Sequence, residues 1–293
     1  MISLAEIRKG IKNPRAGFFE LFRRFDRNVL GNRPISILEE DWDSLIILDG
    51  CRFDLFEEAN TFDVAVEEVT SPATYTRGFL EATFDNGDFP STVLVSANPN
   101  SEFIGARFHS RIPLWDDEWD DELGVTPPQA VTDAALAANN QYPEKRIVVH
   151  YMQPHYPFIG EIGRDLTEQE ILHYQHAHGD DFWRQLTDEN VDKELVWDAY
   201  KENLELALPH VEDLVRELSG KSIVTSDHGN EFGRFGVYGH PDWAYTPGLV
   251  RVPWAVFENG DRRTITEGTA TAGPASEQST VKDRLAMLGY AED

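Results

Sequence analysis

The chain of 293 residues carries 52 acidic and 26 basic side chains, a formal charge of −26, with 41% hydrophobic and 27% charged residues. Seven tryptophans, nine tyrosines and seventeen phenylalanines exclude a disordered acidic tail, because disorder needs few aromatics. So large a negative charge excludes nucleic acid as the main partner, since a polyanion is repelled over most of the surface.

The basic set is 19 Arg and only 7 Lys. An acid excess with scarce lysine suits a salt-rich medium that screens self-repulsion. It reads as a halophile's composition of the haloarchaeal, archaeal type, with an acidic mesophilic protein as the alternative. The single cysteine, Cys51, excludes an intramolecular disulfide. No apolar h-region opens the sequence, and no apolar run approaches the ~18 residues that span a bilayer. The expected location is cytoplasmic, with membrane-peripheral contact as a variant.

In chain order, residues 1–35 form a basic amphipathic segment. Its first thirty residues hold seven basic and three acidic side chains, a net +4, which leaves −30 on the rest. Leu4, Ile7 and Ile11 recur at helical spacing, as do Phe18, Phe22 and Phe25. Such a segment packs on the acidic body of its own protein, the favoured reading, or lies on an anionic membrane through residues 1–30. Residues 36–260 read as a single α/β catalytic domain. Apolar runs at 44–48, 92–96, 146–150, 222–226 and 252–257 lack polar alternation and predict buried strands. Helical patterns at 127–140 and 193–218 lie between them, with Pro209 expected to kink or divide the second. The fold class is therefore α/β, with a mostly parallel central sheet and helices on both faces. Residues 261–280 read as a flexible linker and 281–293 as a short C-terminal helix.

In such sheets ligands bind at the carboxyl ends of the strands. Those ends offer Asp49, with Arg52 and Asp54 following. Next come His150 and His155, then Asp227 with His228 before Gly229, and later His240. Carboxylates and imidazoles at one sheet edge suit a divalent cation, Zn²⁺ or Mn²⁺ first, with Mg²⁺ or Ca²⁺ as alternatives. Each residue alone has a blander reading: Asp49 as a helix cap, His155 as a loop histidine, Asp-His-Gly as a turn. Two further patterns stand apart. His173, His176 and His178 read as part of a solvated helix or lid, and the acidic run 115–122 as a surface loop carrying half-buried Trp115 and Trp119. Trp243 and Tyr245 read as pocket-lining residues after His240.

The order Asp49…Arg52-Phe53-Asp54, Ser71-Pro72-Ala73-Thr74-Tyr75-Thr76, Gln153-Pro154-His155, Asp227-His228-Gly229 and Gly239-His240 resembles the alkaline phosphatase superfamily, most closely its sulfatase-like branch. The resemblance covers about residues 44–257 and implies an alkaline-phosphatase-like fold. It implies one firm metal site held by Asp49, Asp227 and His228, with Thr76 and His240 as further ligands and a second site uncertain. It also implies a hydroxyl nucleophile at a helix N-terminus, Thr76 ahead of Thr74, acting on phosphate or sulfate esters. Thr76 reads equally as an N-cap. Arg52 and Arg77 would clamp the substrate anion, and His155 would bind its oxygens or protonate the leaving group.

The implied activity is a metal-dependent phosphoester hydrolase or phosphotransferase with a phosphothreonine intermediate. A sulfate-ester hydrolase and a non-catalytic anion- or glycan-binding relative stay open as alternatives. The partner is an anionic ester, with sugar- and lipid-linked esters both open. The pattern also departs from the family. Neither Thr74 nor Thr76 precedes the Pro-Ser of formylglycine-forming sulfatases, and Tyr151 stands four before His155 where two-metal members carry Asp.

Overall fold

The apolar run after residue 43 forms strand β1 (Ser44–Asp49), buried at every position. The computed structural model describes residues 14–168, 182–183, 185–187, 191–274, 276–288 and 290. The sheet strands besides β1 are β2 (Val66–Thr70), β3 (Asp88–Ser96), β4 (Arg107–Pro113), β5 (Arg146–Pro154), β6 (Gly220–Ser226) and β9 (Arg251–Asn259). They join in the order β2-β9-β6-β1-β5-β3-β4, and β7 (Glu231–Phe232) pairs separately with β8 (Tyr238–Gly239). β6, β1, β5, β3 and β4 run parallel, while β9 is antiparallel to both β6 and β2. The mostly parallel sheet expected from the sequence is thus present, with one reversed strand near its edge.

Side chains alternate across a strand, and β1 has apolar residues on both sides. Ile46 and Leu48 join one core cluster and Leu45 and Ile47 the other. The first side is covered by α2 (Phe53–Ala59), α4 (Pro128–Gln141) and α6 (Lys193–Glu217), through Phe56, Val131, Ala135, Leu204 and Val211. The second is covered by α3 (Thr76–Phe84) through Phe79, Leu80 and Phe84. Helices therefore lie on both faces. The remaining described helices are α1 (Pro14–Asn28), α5 (Glu161–Glu168), α7 (Pro247–Val250) and α8 (Gln278–Leu288).

Three expectations change. α6 continues through Pro209 as one helix, begun by the Asp192 side chain capping Glu194 and Leu195. Residues 261–274 form an extended strap with fixed partners: Thr266 N–H bonds the Glu144 carbonyl at 3.0 Å, and Thr271 exchanges backbone bonds with Phe108 at 2.7 and 3.1 Å. Backbone pairing, which composition does not reveal, makes this segment more than a free linker. β2 and β4 had no counterpart among the apolar runs, because an edge strand buries less of itself and carries charges such as Glu67, Glu68 and Arg111.

α1 settles the first thirty residues in part. Phe19 is buried and Phe22 half-buried against a small cluster of Val237, Tyr245 and Leu249, and the Asp26 carboxylate pairs with Arg251 at 2.7 Å. Residues 14–28 thus pack on the protein's own body, yet Phe18, Leu21 and Phe25 stay exposed. Leu4, Ile7, Ile11 and the histidines at 173, 176 and 178 lie outside the described residues. Among the described residues, no helix is long and apolar enough to cross a membrane.

Candidate active site and metal centre

The register places the site. Leu48 of β1 pairs with Ser226 of β6, so Asp49 and Asp227, each one residue further on, emerge side by side at the carboxyl edge. One oxygen of Asp227 accepts the N–H groups of Gly50 at 2.9 Å and His228 at 2.8 Å. The Ser226 hydroxyl receives Cys51 N–H at 2.8 Å and donates to the His228 carbonyl at 2.7 Å. The two strand ends are tied together without using the second Asp227 oxygen.

Glycine is required at two of these turns. Gly50 has φ +66° and its absent Cβ would stand 2.7 Å from Asn230 Nδ2, while a Cβ on Gly229 would come within 2.2 Å of the Gly248 carbonyl.

Asp49, Asp227 and His228 are all buried and present ligand atoms within 4.8 Å of one another. The Gly229 carbonyl takes the Nδ1 hydrogen of His228 at 2.9 Å, so Nε2 faces the carboxylates with its lone pair. Thr76, first residue of α3, puts Oγ1 3.3 Å from Asp49 Oδ2 and 3.0 Å from His228 Nε2. Thr74 instead donates to the Pro241 carbonyl at 3.4 Å. The N–H groups of Thr76, Arg77 and Gly78 open a helix and lack intrahelical acceptors, a ready anion seat.

The residues fit a cation. Asp49 Oδ1, Asp227 Oδ2 and both ring nitrogens of His150 are buried without a hydrogen-bond partner. Buried polar atoms normally have one, and two adjacent carboxylates are costly unless a positive charge lies between them. His150 Nε2 is 3.6 Å from Asp49 and 3.9 Å from Asp227. Burial raises the Asp49 carboxyl, but His155, His150 and His228 outweigh it and hold it well below the usual carboxylate range. Asp227 is pushed up, by burial first and by the charge of Asp49 second.

The other sequence candidates fall into two groups. His155 stays close to the site: Nδ1 donates to the Tyr156 carbonyl at 2.6 Å, and Nε2 meets His240 Nε2 at 2.9 Å. His240 is thus paired with His155 and lies outside the Asp49/Asp227/His228 group. Arg52 and Arg77 are both engaged by neighbouring groups in the structure. Arg52 grips Asp54 at 2.7 and 2.5 Å, donates to the Asn230 carbonyl at 3.0 Å and covers Trp197. Arg77 bonds Glu81 at 3.1 Å. With abundant acid nearby, each guanidinium already has a carboxylate partner. Trp243 and Tyr245 pack on α1 through Phe19 and Phe22 and do not line the pocket.

Three site residues were missed by sequence reasoning. Asn98, two residues beyond β3, donates to Asp49 Oδ2. Its signal was its place at a strand's carboxyl end. Asn203, buried in α6, donates to the His155 carbonyl at 3.0 Å and accepts Ile159 N–H at 3.0 Å, holding the histidine loop. Tyr290 donates to Asp49 Oδ2 at 3.1 Å from beyond α8, and no local pattern announced it.

No protein-family model matches this sequence, and no curated protein matches it. Solved structures do. The integral membrane lipooligosaccharide phosphoethanolamine transferase A from Neisseria meningitidis is 11% identical with a TM-score of 0.52, over 83% of this chain and 55% of that one. The soluble domain of the Neisseria meningitidis transferase is 12% identical with a TM-score of 0.51, over 73% and 75% of the two chains. The C-terminal periplasmic domain of EcEptC from Escherichia coli, in complex with Zn, is 12% identical with a TM-score of 0.50, over 74% and 72%. The chain has the alkaline phosphatase fold. In this fold Asp49, Thr76, His155, Asp227 and His228 lie close together at the carboxyl edge.

The paired imidazoles give the fold a pH dependence. His240 is held well below the ordinary imidazole value, by burial first and then by His228 and His155. His155 is also lowered, by burial, with Asp49 opposing. In the unfolded chain both titrate near 6.5. Below that pH the unfolded state binds protons that the folded state refuses, so stability falls as pH falls, by up to about 1.4 kcal/mol per unit for each histidine. Urea midpoints of the metal-free protein are expected to drop between pH 7.5 and 5.5, and to drop less in His240→Gln. An equal drop in that variant contradicts the assignment.

Proposed function

We propose that this protein is a metal-dependent phosphoester hydrolase or phosphotransferase in which Thr76 is the nucleophile and phosphothreonine the intermediate. One observation carries the reading: a hydroxyl at the first position of a helix lies 3.0 Å from His228 and 3.3 Å from Asp49 of a buried Asp/Asp/His group. The similar structures support it: the two from Neisseria meningitidis are named as lipooligosaccharide phosphoethanolamine transferase A, and the EcEptC domain was solved in complex with Zn. Zn²⁺ is therefore placed ahead of Mn²⁺, Mg²⁺ and Ca²⁺.

A divalent cation held by Asp49, Asp227 and His228, with His150 in reach, would lower the cost of removing the Thr76 proton and offset the ester's charge. The chain's own residues do the rest. Thr76 Oγ1 attacks phosphorus in line, its hydrogen directed at the Asp49 oxygen it already faces. The first-turn N–H groups of α3 bind the phosphoryl oxygens. The bond to the leaving alcohol breaks, and that oxygen takes up the proton that Thr76 gave up, with the neutral His155–His240 pair placed to relay it. Water then releases phosphate from Thr76, or an acceptor alcohol takes it.

Sulfate-ester hydrolysis is the second reading. Threonine favours phosphate, because formylglycine forms from Cys or Ser. A non-catalytic anion- or glycan-binding role would not need a hydroxyl set against two metal-ligand side chains. The test is turnover of phosphate and sulfate monoesters by wild type and Thr76 variants at molar salt. Turnover of sulfate esters alone, or full activity without the Thr76 hydroxyl, overturns the proposal.

The partner surface belongs to the same proposal. α1 shows Phe18, Leu21 and Phe25 to solvent at helical spacing, with Val29 and Leu30 beyond, beside a groove of about 380 Å³ lined by Arg15, Phe18, Phe19 and Phe235. A basic helix with an exposed aromatic face on an otherwise acidic protein suits an anionic bilayer. The full chain is expected to float with vesicles containing phosphatidylglycerol. The variant Phe18→Asp/Leu21→Asp/Phe25→Asp should stay behind yet keep turnover of a soluble ester. Equal flotation of both proteins, or of neither, contradicts membrane contact.

A further inference from the structure

We infer that Tyr290 is an intramolecular competitor for the ester site, carried by a latched C-terminal segment that must withdraw before substrate reaches Thr76. The inference rests on the reading of the Thr76 pocket as the ester site. Its geometry is independent of that reading.

Beyond α8, the Tyr290 N–H bonds the Leu285 carbonyl at 3.0 Å, turning the chain back. The phenol oxygen then meets three groups at once. It lies 3.0 Å from Thr76 Oγ1, donates to Asp49 Oδ2 at 3.1 Å and accepts from Asn98 Nδ2 at 2.9 Å. The ring stacks on His155 with centroids 5.2 Å apart and planes 8° from parallel, and stands 5.7 Å from His240. A ring-bearing oxygen against the nucleophile, flanked by His155 and His240, occupies the place that an ester's bridging oxygen and leaving group need. Thr76, Asp49, Asp227, His155 and His228 are all buried in this arrangement, so no ester can touch Thr76 while Tyr290 stays.

The segment also has a latch and a tether. The Arg284 guanidinium covers the Trp119 ring at 4.3 Å and bonds Asp121 at 3.1 Å. Ser276 donates to Asp116 at 2.5 Å. The acidic, tryptophan-bearing run 115–122 is thereby the docking point for the segment that carries the plug. Val281 and Leu288 are its only buried apolar side chains among the described residues of α8. A segment held by few buried groups is one that opens locally at low cost. The strap 261–274, bonded at Thr266 and Thr271, keeps the segment at hand when it opens. A closed state favoured about tenfold lowers apparent affinity for any ligand of the pocket by about tenfold.

Two measurements on the full chain test this, with wild type, Tyr290→Phe, Tyr290→Ala and Arg284→Ala checked for native circular dichroism. The first is modification of His155 by diethyl pyrocarbonate, located by peptide mass, which needs neither metal nor substrate. Tyr290→Ala and Arg284→Ala are expected to react about tenfold faster than wild type, and Tyr290→Phe to lie between, because the ring remains. Unchanged His155 reactivity in both Tyr290→Ala and Arg284→Ala overturns the plug. The second is calorimetric binding of inorganic phosphate to the zinc-loaded proteins, expected to tighten about tenfold in Tyr290→Ala. Phosphate binding that is measurable but no tighter in Tyr290→Ala than in wild type overturns the competition. Faster His155 modification with no phosphate bound by any variant supports the plug and overturns the ester reading of the pocket.

Discussion

Thr76→Ala is expected to lower ester turnover by about 10⁴-fold or more, the scale on which removing a nucleophile acts in enzymes of covalent mechanism. That factor corresponds to about 5.5 kcal/mol of activation free energy. The other hydroxyls of the Ser71–Thr76 loop point elsewhere. Thr74 is turned to the Pro241 carbonyl and Ser71 donates to the Asp227 carbonyl. Folding should change little, because alanine is a good residue for the first turn of α3 and one buried hydroxyl contributes only about 1 kcal/mol. Thr76→Ser restores a hydroxyl at the same position and is expected to keep turnover within about tenfold of wild type. Steady-state rates of the three proteins with one phosphate monoester, beside their urea midpoints, check both halves of the claim.

The second large effect is on the metal. Asp227→Asn keeps shape and can keep the bonds from Gly50 and His228 N–H, now accepted by its amide oxygen. It loses the charge that a divalent cation needs, and metal affinity should fall at least about a hundredfold. A cation at a hundred times its dissociation constant stabilises the wild type by about 2.7 kcal/mol, and the variant should gain almost none of this. The metal-free proteins should differ in the opposite sense. The Asp227 carboxyl is held above its usual range by burial and by Asp49. Its ionised form therefore costs stability once pH exceeds the unfolded value, and a neutral amide removes that cost. Thermal unfolding at pH 7 with and without Zn²⁺ should show the variant at least as stable as wild type without metal, and less stable with it. A variant that still gains wild-type stability from Zn²⁺ would remove Asp227 from the metal site.

The parts of this protein legible in its sequence are those where local chemistry and burial agree. β1, β5 and β6 are buried at nearly every position, so each holds a short apolar run, and Asp49 ends β1 while Asp227 directly follows β6. Gly50 and Gly229 marked the turns where backbone and ring come too close for a Cβ. What stayed hidden depends on distant pairing. Arg52 and Arg77 carry charge that suits an anion, but Asp54 and Glu81 claim it first. His240 has the right chemistry for a ligand, yet the fold pairs it with His155. Tyr290 reaches Asp49 across 241 residues of sequence, and no periodicity encodes such a contact.

The −26 charge takes on a narrower meaning in the folded chain. An anionic ester approaches a surface of its own sign, so attraction must be local. With Arg52 and Arg77 already paired, that attraction falls to the first turn of α3 and to the Asp49, Asp227 and His228 centre with its cation. The account therefore stands or falls on Thr76. Wild type incubated with a phosphate monoester, quenched in acid and digested should yield one phosphoryl group on the peptide that holds Thr76, fragmenting to that residue and absent from Thr76→Ala. Turnover with no phosphothreonine formed, or with the phosphoryl group on any other residue, would contradict it.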